Sequence, residues 1–142
     1  MQRLTLEDFP VITFDKLRYA DMDAIGHVNN AVFSTFLETG RVELLYHPDN
    51  PIVSPDTNFV VASLQLNFLR EIKWPGQVNI GSGLLKIGNS SMKVYQQIFQ
   101  NGQCAANAET VIVQIGKGTG QSKPLSDEVK EKLGKLLLPN AG

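Results

Sequence analysis

The chain reads as an α+β protein in which a curved antiparallel sheet wraps around one long helix, and three observations predict this. A helix-length apolar pattern follows a single strand, four long strand patterns then run in series, and hairpin chemistry joins the last three of them. Residues 11–18 have the β-branched and aromatic content of a strand, and residues 21–30 the Asp, Asn and Gly content of a loop. From Ala31 to about Tyr46, Val32, Phe33, Phe36, Leu37, Leu44 and Leu45 recur at three- and four-residue spacing, with Asn29 or Asn30 as cap. Ala31 and Gly40 keep parts of this helix thin for close packing on a sheet, so it is expected to be largely buried. The run His47-Pro48-Asp49-Asn50-Pro51 ends it.

Residues 58–70 alternate, with Val60, Ala62, Leu64, Leu66 and Phe68 on one face and Ser63, Gln65 and Asn67 on the other, which predicts a long half-buried strand. Residues 77–87, 91–100 and 103–115 are three more strands, separated by Gly88-Asn89-Ser90 and Asn101-Gly102. The Asn-Gly pair is strong hairpin chemistry because both residues tolerate positive φ. Gly116-Lys117-Gly118-Thr119-Gly120 reads as a strand exit, and Pro124-Leu125-Ser126-Asp127-Glu128 opens a capped helix with Val129, Leu133, Leu136 and Leu137 as its apolar residues. One sheet around one helix leaves edge strands open. Pairing them with a second copy closes them, so a homodimer is expected.

At 142 residues the expectation is one domain, 1–142. Lys+Arg 13 against Asp+Glu 14 leaves a net charge of -1, so no bulk positive field draws the chain to nucleic acid or an anionic membrane. Cys104 is the only cysteine, which excludes an intrachain disulfide and a cysteine-based metal cluster and suits a reducing compartment. No apolar run approaches the roughly 20 residues of a membrane helix, and the first residues lack a signal-peptide core. A cytoplasmic location is the expectation. His27 and His47 fall on different elements, so no metal site is expected. A Gly-x-Ser-x-Gly elbow, a phosphate loop and a dinucleotide fingerprint are all missing from the sequence.

The chemistry concentrates in residues 18–30, where two carboxylates and a glycine turn run into the long helix. The first N–H groups of a helix lack intrahelical partners, and the macrodipole adds about half a positive charge there. A carbonyl oxygen set against them is stabilised as it becomes an oxyanion. Asn30, at the helix start, is the candidate backbone donor. A carboxylate on the preceding loop can attack that carbonyl or deprotonate a water, and Asp23 is better placed than Asp21 because Gly26 permits a sharp return. On spacing alone, however, Asp21 and Asp23 read as ordinary loop carboxylates in Asx-turns or caps. His27 reads as a supporting, hydrogen-bonded residue, Asn29 and Asn30 as caps, and Glu38 with Arg41 as an intrahelical pair.

The string Tyr19-Ala20-Asp21-Met22-Asp23-Ala24-Ile25-Gly26-His27-Val28-Asn29-Asn30-Ala31, followed by Phe36-Leu37-Glu38-x-x-Arg41, resembles the acyl-CoA thioesterases of the hotdog fold, in the 4-hydroxybenzoyl-CoA thioesterase-like group. The element order agrees over nearly the whole chain. The resemblance implies a dimer, often a dimer of dimers, that hydrolyses an acyl-CoA to a free carboxylic acid and coenzyme A. It makes Asp23 the catalytic acid, as nucleophile or general base, and Asn30 the backbone donor, with Tyr19, Asp21, Gly26, His27 and Asn29 shaping the pocket. The acyl group is expected between subunits and the coenzyme A tail over strands of the partner. Some relatives hold the nucleotide phosphates with a basic cluster at the hairpin before the third long strand. Here that hairpin reads Ile87-Gly88-Asn89-Ser90-Ser91 without arginine, leaving Ser90 and Ser91 as donors with Lys86 or Lys93 nearby. No cofactor is expected, since coenzyme A is part of the substrate. A carrier-protein thioesterase and a non-catalytic acyl-thioester binder are the competing functions; a hotdog dehydratase lacks its Gly-Asp-x-Asn-Pro-x-His signature here.

Overall fold

The computed structural model describes residues 4–139. Strand β1 (Val11–Lys16) leads to helix α1 (Asn30–Leu45), then strands β2 (Thr57–Phe68), β3 (Gln77–Ile87), β4 (Ser91–Gln100) and β5 (Gln103–Gly116), and finally helix α2 (Asp127–Gly134). Short 3-10 turns occupy Leu6–Asp8 and Tyr19–Asp21. The five strands form one antiparallel sheet in the order β1-β3-β4-β5-β2. This is the curved sheet and long helix of the hotdog fold. Asn101 and Gly102 take φ of 53° and 78° at the β4–β5 turn, the positive values their hairpin requires.

Helix α1 crosses β1, β3 and β4. Phe33, Phe36 and Leu37 from its first half join Leu17, Val78, Ile80, Ile98 and Ala106 in one core cluster. Leu44 and Leu45 from its second half join Leu84, Met92, Val94 and Ile112, with Val129 and Leu133 of α2, in another. Between the two clusters lies a polar seat. Gln96, fully buried on β4, donates through Nε2 to the Leu37 carbonyl of α1 and to Ser82 Oγ of β3, both at 2.9 Å. Gly40 fits over it, and a Cβ there would stand 2.5 Å from Gln96 Nε2 and 2.7 Å from both Ile80 Cγ2 and Ser82 Oγ. Ala31, by contrast, is exposed.

Three sequence expectations need correction. The alternation in residues 58–70 is not one continuous face, because the register slips between Val61 and Ser63. The extra residue exchanges the two faces of the strand. Phe59 packs on the α1 side before the bulge, and Leu66 does so after it. Nor is β2 half-buried: it pairs only with β5 at the edge of the sheet, outside the path of α1, so Val60, Val61, Leu64 and Phe68 are all exposed in the single chain.

Secondly, α2 stops at Gly134, so Leu136 and Leu137 lie beyond it. Strand β1 accompanies β3 only as far as Ser82, which leaves the Leu84 backbone open at that edge. The chain after α2 fills it: Leu84 N–H donates to the Leu136 carbonyl and Leu138 N–H to the Leu84 carbonyl, each at 2.9 Å. Leu138 is buried by this docking, while Leu137 remains 40% exposed. Thirdly, Glu38 and Arg41 form no direct ion pair among the described residues, and Arg41 Nη1 is buried without a hydrogen-bond partner. Burial pulls the guanidinium below its ordinary pKa, and the nearby Glu38 charge only partly opposes this.

The helix seat makes the first prediction. Gly40→Ala gains helix propensity but forces a methyl against Ile80 and a doubly bonded, buried Gln96, so urea unfolding should show a net loss of about 1–3 kcal/mol. Ser34→Ala, on the exposed face of the same helix, should be neutral or slightly stabilising.

Candidate active site

The loop before α1 is a small folded unit. Asp21 Oδ2 accepts the Arg18 N–H at 2.8 Å, and the Asp21 carbonyl accepts the Asn29 N–H at 2.8 Å, so this buried residue ties both ends of the loop together. Within it, Met22 and Val28 form a bridge, the Asp23 N–H donates to the His27 carbonyl at 2.7 Å, and Gly26 turns the chain with φ of 84°. A side chain at that φ is disfavoured, which is why glycine serves there.

This turn aims Asp23. Its Oδ1 accepts the Ile25 N–H at 3.0 Å and the His27 N–H at 3.1 Å, while Oδ2 has no partner among the described residues. Asn29 then caps α1, its side chain accepting the Ala31 N–H at 3.0 Å and its carbonyl the Val32 N–H at 2.9 Å. The Asn30 N–H, first in the helix, has no intrahelical acceptor. Asp23 and Asn30 face the same cleft of about 420 Å³, which has Val28, Phe33, Phe68 and Leu69 as apolar wall. The Phe33 and Phe68 rings meet edge to face at 5.0 Å.

The structure brings Asp23, His27 and Asn30 to the cleft, with Gly26 as the turn, Asn29 as the cap and Asp21 as the buried tie beneath. Tyr19 stands outside that lining: it is 77% exposed and packs edge to face on Trp74 at 5.5 Å. Ser90 and Ser91 lie at the other end of the sheet. Ser91 is opposite Val113 on β5 whereas Phe68 is opposite Ala106, a separation of about 23 Å at the usual rise per strand residue. Ser91 instead borders a separate cleft of about 250 Å³ with Lys86, Gly88 and Lys93.

Sequence reasoning missed the segment after β2. The Leu69 and Arg70 N–H groups both donate to the Ala105 carbonyl, at 2.8 and 3.0 Å, and this curl swings Arg70 and Glu71 to the cleft. Glu71 Oε2 lies 3.2 Å from His27 Nε2. The Val28 N–H donates to the Ile72 carbonyl at 2.9 Å, so the two loops are laced together. Nothing in the local sequence marks residues so far apart as neighbours. Among the described residues no group of three or more His, Cys, Asp or Glu side chains is arranged to hold a metal, and no helix is long and apolar enough to cross a membrane.

Comparison with known proteins now places the chain. Residues 17–133 match the family model described as the Thioesterase-like superfamily. The chain belongs to that family and is a hotdog-fold thioesterase, an enzyme of thioester hydrolysis. It is similar to the long-chain acyl-CoA thioesterase FadM of Escherichia coli strain K12, at 29% identity over 126 residues, 86% of this chain and 96% of the relative. It is also similar to the Bacillus subtilis protein YsmA, at 27% identity over 82% of this chain and 80% of that one. A thioesterase from Thermus thermophilus, solved in complex with coenzyme A and Zn, is 32% identical and superposes with a TM-score of 0.79, covering 92% of this chain and 96% of that chain.

The cap carries its own prediction. Asn29→Ala removes the acceptor for the Ala31 N–H and should lower stability by about 1 kcal/mol, measured by thermal or urea unfolding.

Proposed function

We propose that this chain hydrolyses acyl-CoA thioesters to a free carboxylic acid and coenzyme A, with Asp23 as nucleophile or general base and the Asn30 backbone N–H polarising the thioester carbonyl. The observation that carries this reading is one carboxylate, fixed through Oδ1 and open at Oδ2, sharing a cleft with a helix N-terminus and an apolar wall. The thioester carbonyl sits against the Asn30 N–H, where the helix dipole favours the developing oxyanion. In the first route Asp23 Oδ2 attacks that carbon, the thiolate leaves and takes a proton, and water then hydrolyses the mixed anhydride. In the second Asp23 takes a proton from water as the hydroxyl adds to the carbon, and the thiolate again leaves. Both give one acid and one thiol per water consumed. The coenzyme A complex of the Thermus thermophilus relative and the name of the Escherichia coli relative support an acyl-CoA substrate.

The exposed edge of β2 supports a homodimer in which the two copies pair there, within one hotdog domain per chain and with a dimer of dimers as the larger form. Val61 and Leu64 on the α1 side and Val60 on the other face are exposed along a strand whose outer edge has no partner among the described residues, an arrangement that solvent-exposed edges ordinarily avoid. The reaction as written uses no metal or cofactor.

Three measurements test these statements. Free-thiol release from short, medium, long and aromatic acyl-CoA esters should be readily detected for the wild type and fall by at least 100-fold in a folded Asp23→Asn variant, in line with the loss of an essential acid or nucleophile. Asp21→Asn, which changes the buried tie rather than the open carboxylate, should cost less; an active Asp23→Asn enzyme refutes the assignment. Treatment with EDTA should leave turnover unchanged. Light scattering after gel filtration should give a dimer or tetramer, with Val61→Lys shifting it toward monomer. Hydrolysis of carrier-protein thioesters alone, or no hydrolysis of any ester, selects one of the two competing functions.

A further inference from the structure

We infer that Arg70 and Lys73, in the cleft beside the Asp23 site, bind the phosphates of the coenzyme A handle, so that the anion site lies at the same end of the same chain as the reacting carboxylate. The inference rests on the acyl-CoA reading above and adds the residues that hold the handle. A cleft of about 490 Å³ is lined by Arg70, Glu71, Lys73, Gln100, Asn101 and Gln103. It shares Arg70 and Glu71 with the Asp23 cleft, so the two lie side by side. Its size falls within the range of small-ligand sites, roughly 300–1,000 Å³.

Its charges are disposed for an anion. Glu71 is engaged on the reactive side, with Oε2 at 3.2 Å from His27 Nε2 and 4.0 Å from Lys73 Nζ. Arg70 has no carboxylate partner among the described residues, so the cleft keeps an unpaired guanidinium, the side chain best suited to phosphate oxygens. Both cations stand on pinned backbone. Gln100 accepts the Lys73 N–H at 3.1 Å and donates to the Lys73 carbonyl at 2.7 Å, while the Ala105 carbonyl holds Arg70. Pre-set backbone lowers the entropy lost on binding. The Ser90–Ser91 hairpin has no arginine and lies at the opposite end of the sheet from Asp23.

Trp74, next to Lys73, is the only tryptophan of the chain, which makes intrinsic fluorescence a reporter of this site. Titration with coenzyme A and with 3′,5′-ADP should give a saturable fluorescence change, and pantetheine, which lacks phosphate, none over the same range. Arg70→Ala combined with Lys73→Ala should weaken 3′,5′-ADP binding at least tenfold, with Arg70→Lys alone losing less. The double variant should also lower the ratio of kcat/KM for an acyl-CoA to that for the matching acyl-pantetheine by tenfold or more. An unshifted thermal unfolding midpoint of the double variant reports a folded enzyme. A ratio and an affinity unmoved in the double variant, or moved as far by Lys86→Ala with Lys93→Ala, overturn the inference. Binding of 3′,5′-ADP that the double variant loses supports the site even where no ester is hydrolysed, so failure of the hydrolase reading registers separately.

Discussion

The contact on which the rest of the structure depends is the seat of α1 on the sheet, where Gly40 lies over Gln96. Gln96 is buried at the centre of β4 and is retained there because its amide bonds both the helix backbone and Ser82. A buried amide without those partners would carry a desolvation cost of several kcal/mol. The glycine lets the helix backbone come close enough for the bond, and the bond in turn fixes the helix along its own axis. A slide by one residue would lose the amide bond and press side chains into Ile80. The N-terminus of α1 is therefore placed by a contact ten residues further along the helix, between Asn30 and Gly40.

From that fixed terminus the loop is assembled by backbone N–H groups donating to carbonyls and to the side chains of Asp21, Asp23 and Asn29. Asp21 closes the loop from beneath, the Met22–Val28 bridge makes it a miniature hairpin, and Gly26 supplies the turn. The two aspartates share a sequence neighbourhood and have different work. Asp21 spends its carboxylate on Arg18 N–H and is buried; Asp23, which lines the cleft, has one oxygen held and the other without a partner among the described residues. On either route proposed for Asp23, Oδ1 keeps both hydrogen bonds, because it stays a carboxylate or carbonyl oxygen throughout. On that proposal the loop need not rearrange during the reaction, and such preorganisation is where electrostatic catalysis draws its strength.

What was legible in the sequence follows the range of the interactions. The strand-helix-strands order, the Asn101-Gly102 turn, the Asn29 cap and the loop motif rest on local chemistry, and each stands where its residues predict. The bulge at Val61–Ser63 was not legible, since no glycine marks it and the apolar run Phe59-Val60-Val61-Ala62 suits either face of the strand. The strand's two faces are exchanged by pairing with β5, which the sequence of β2 does not contain. The docking of Leu138 on Leu84 and the approach of Glu71 to His27 were hidden for the same reason. Both depend on edges left open or chains curled by partners distant in sequence.

Strand β2 links the site to the sheet edge. Its last residue, Phe68, packs against Phe33 to wall the cleft, yet remains 48% exposed in the single chain. The next residues curl through Ala105 to deliver Arg70 and Glu71, while Val60, Val61 and Leu64 of the same strand form the open edge. In the dimer proposed above, pairing of that edge fixes the strand whose end completes both the apolar wall and the cationic cleft. Assembly and substrate binding then act on one element, and a change at the edge is felt at the wall through the strand itself, with no moving part between them.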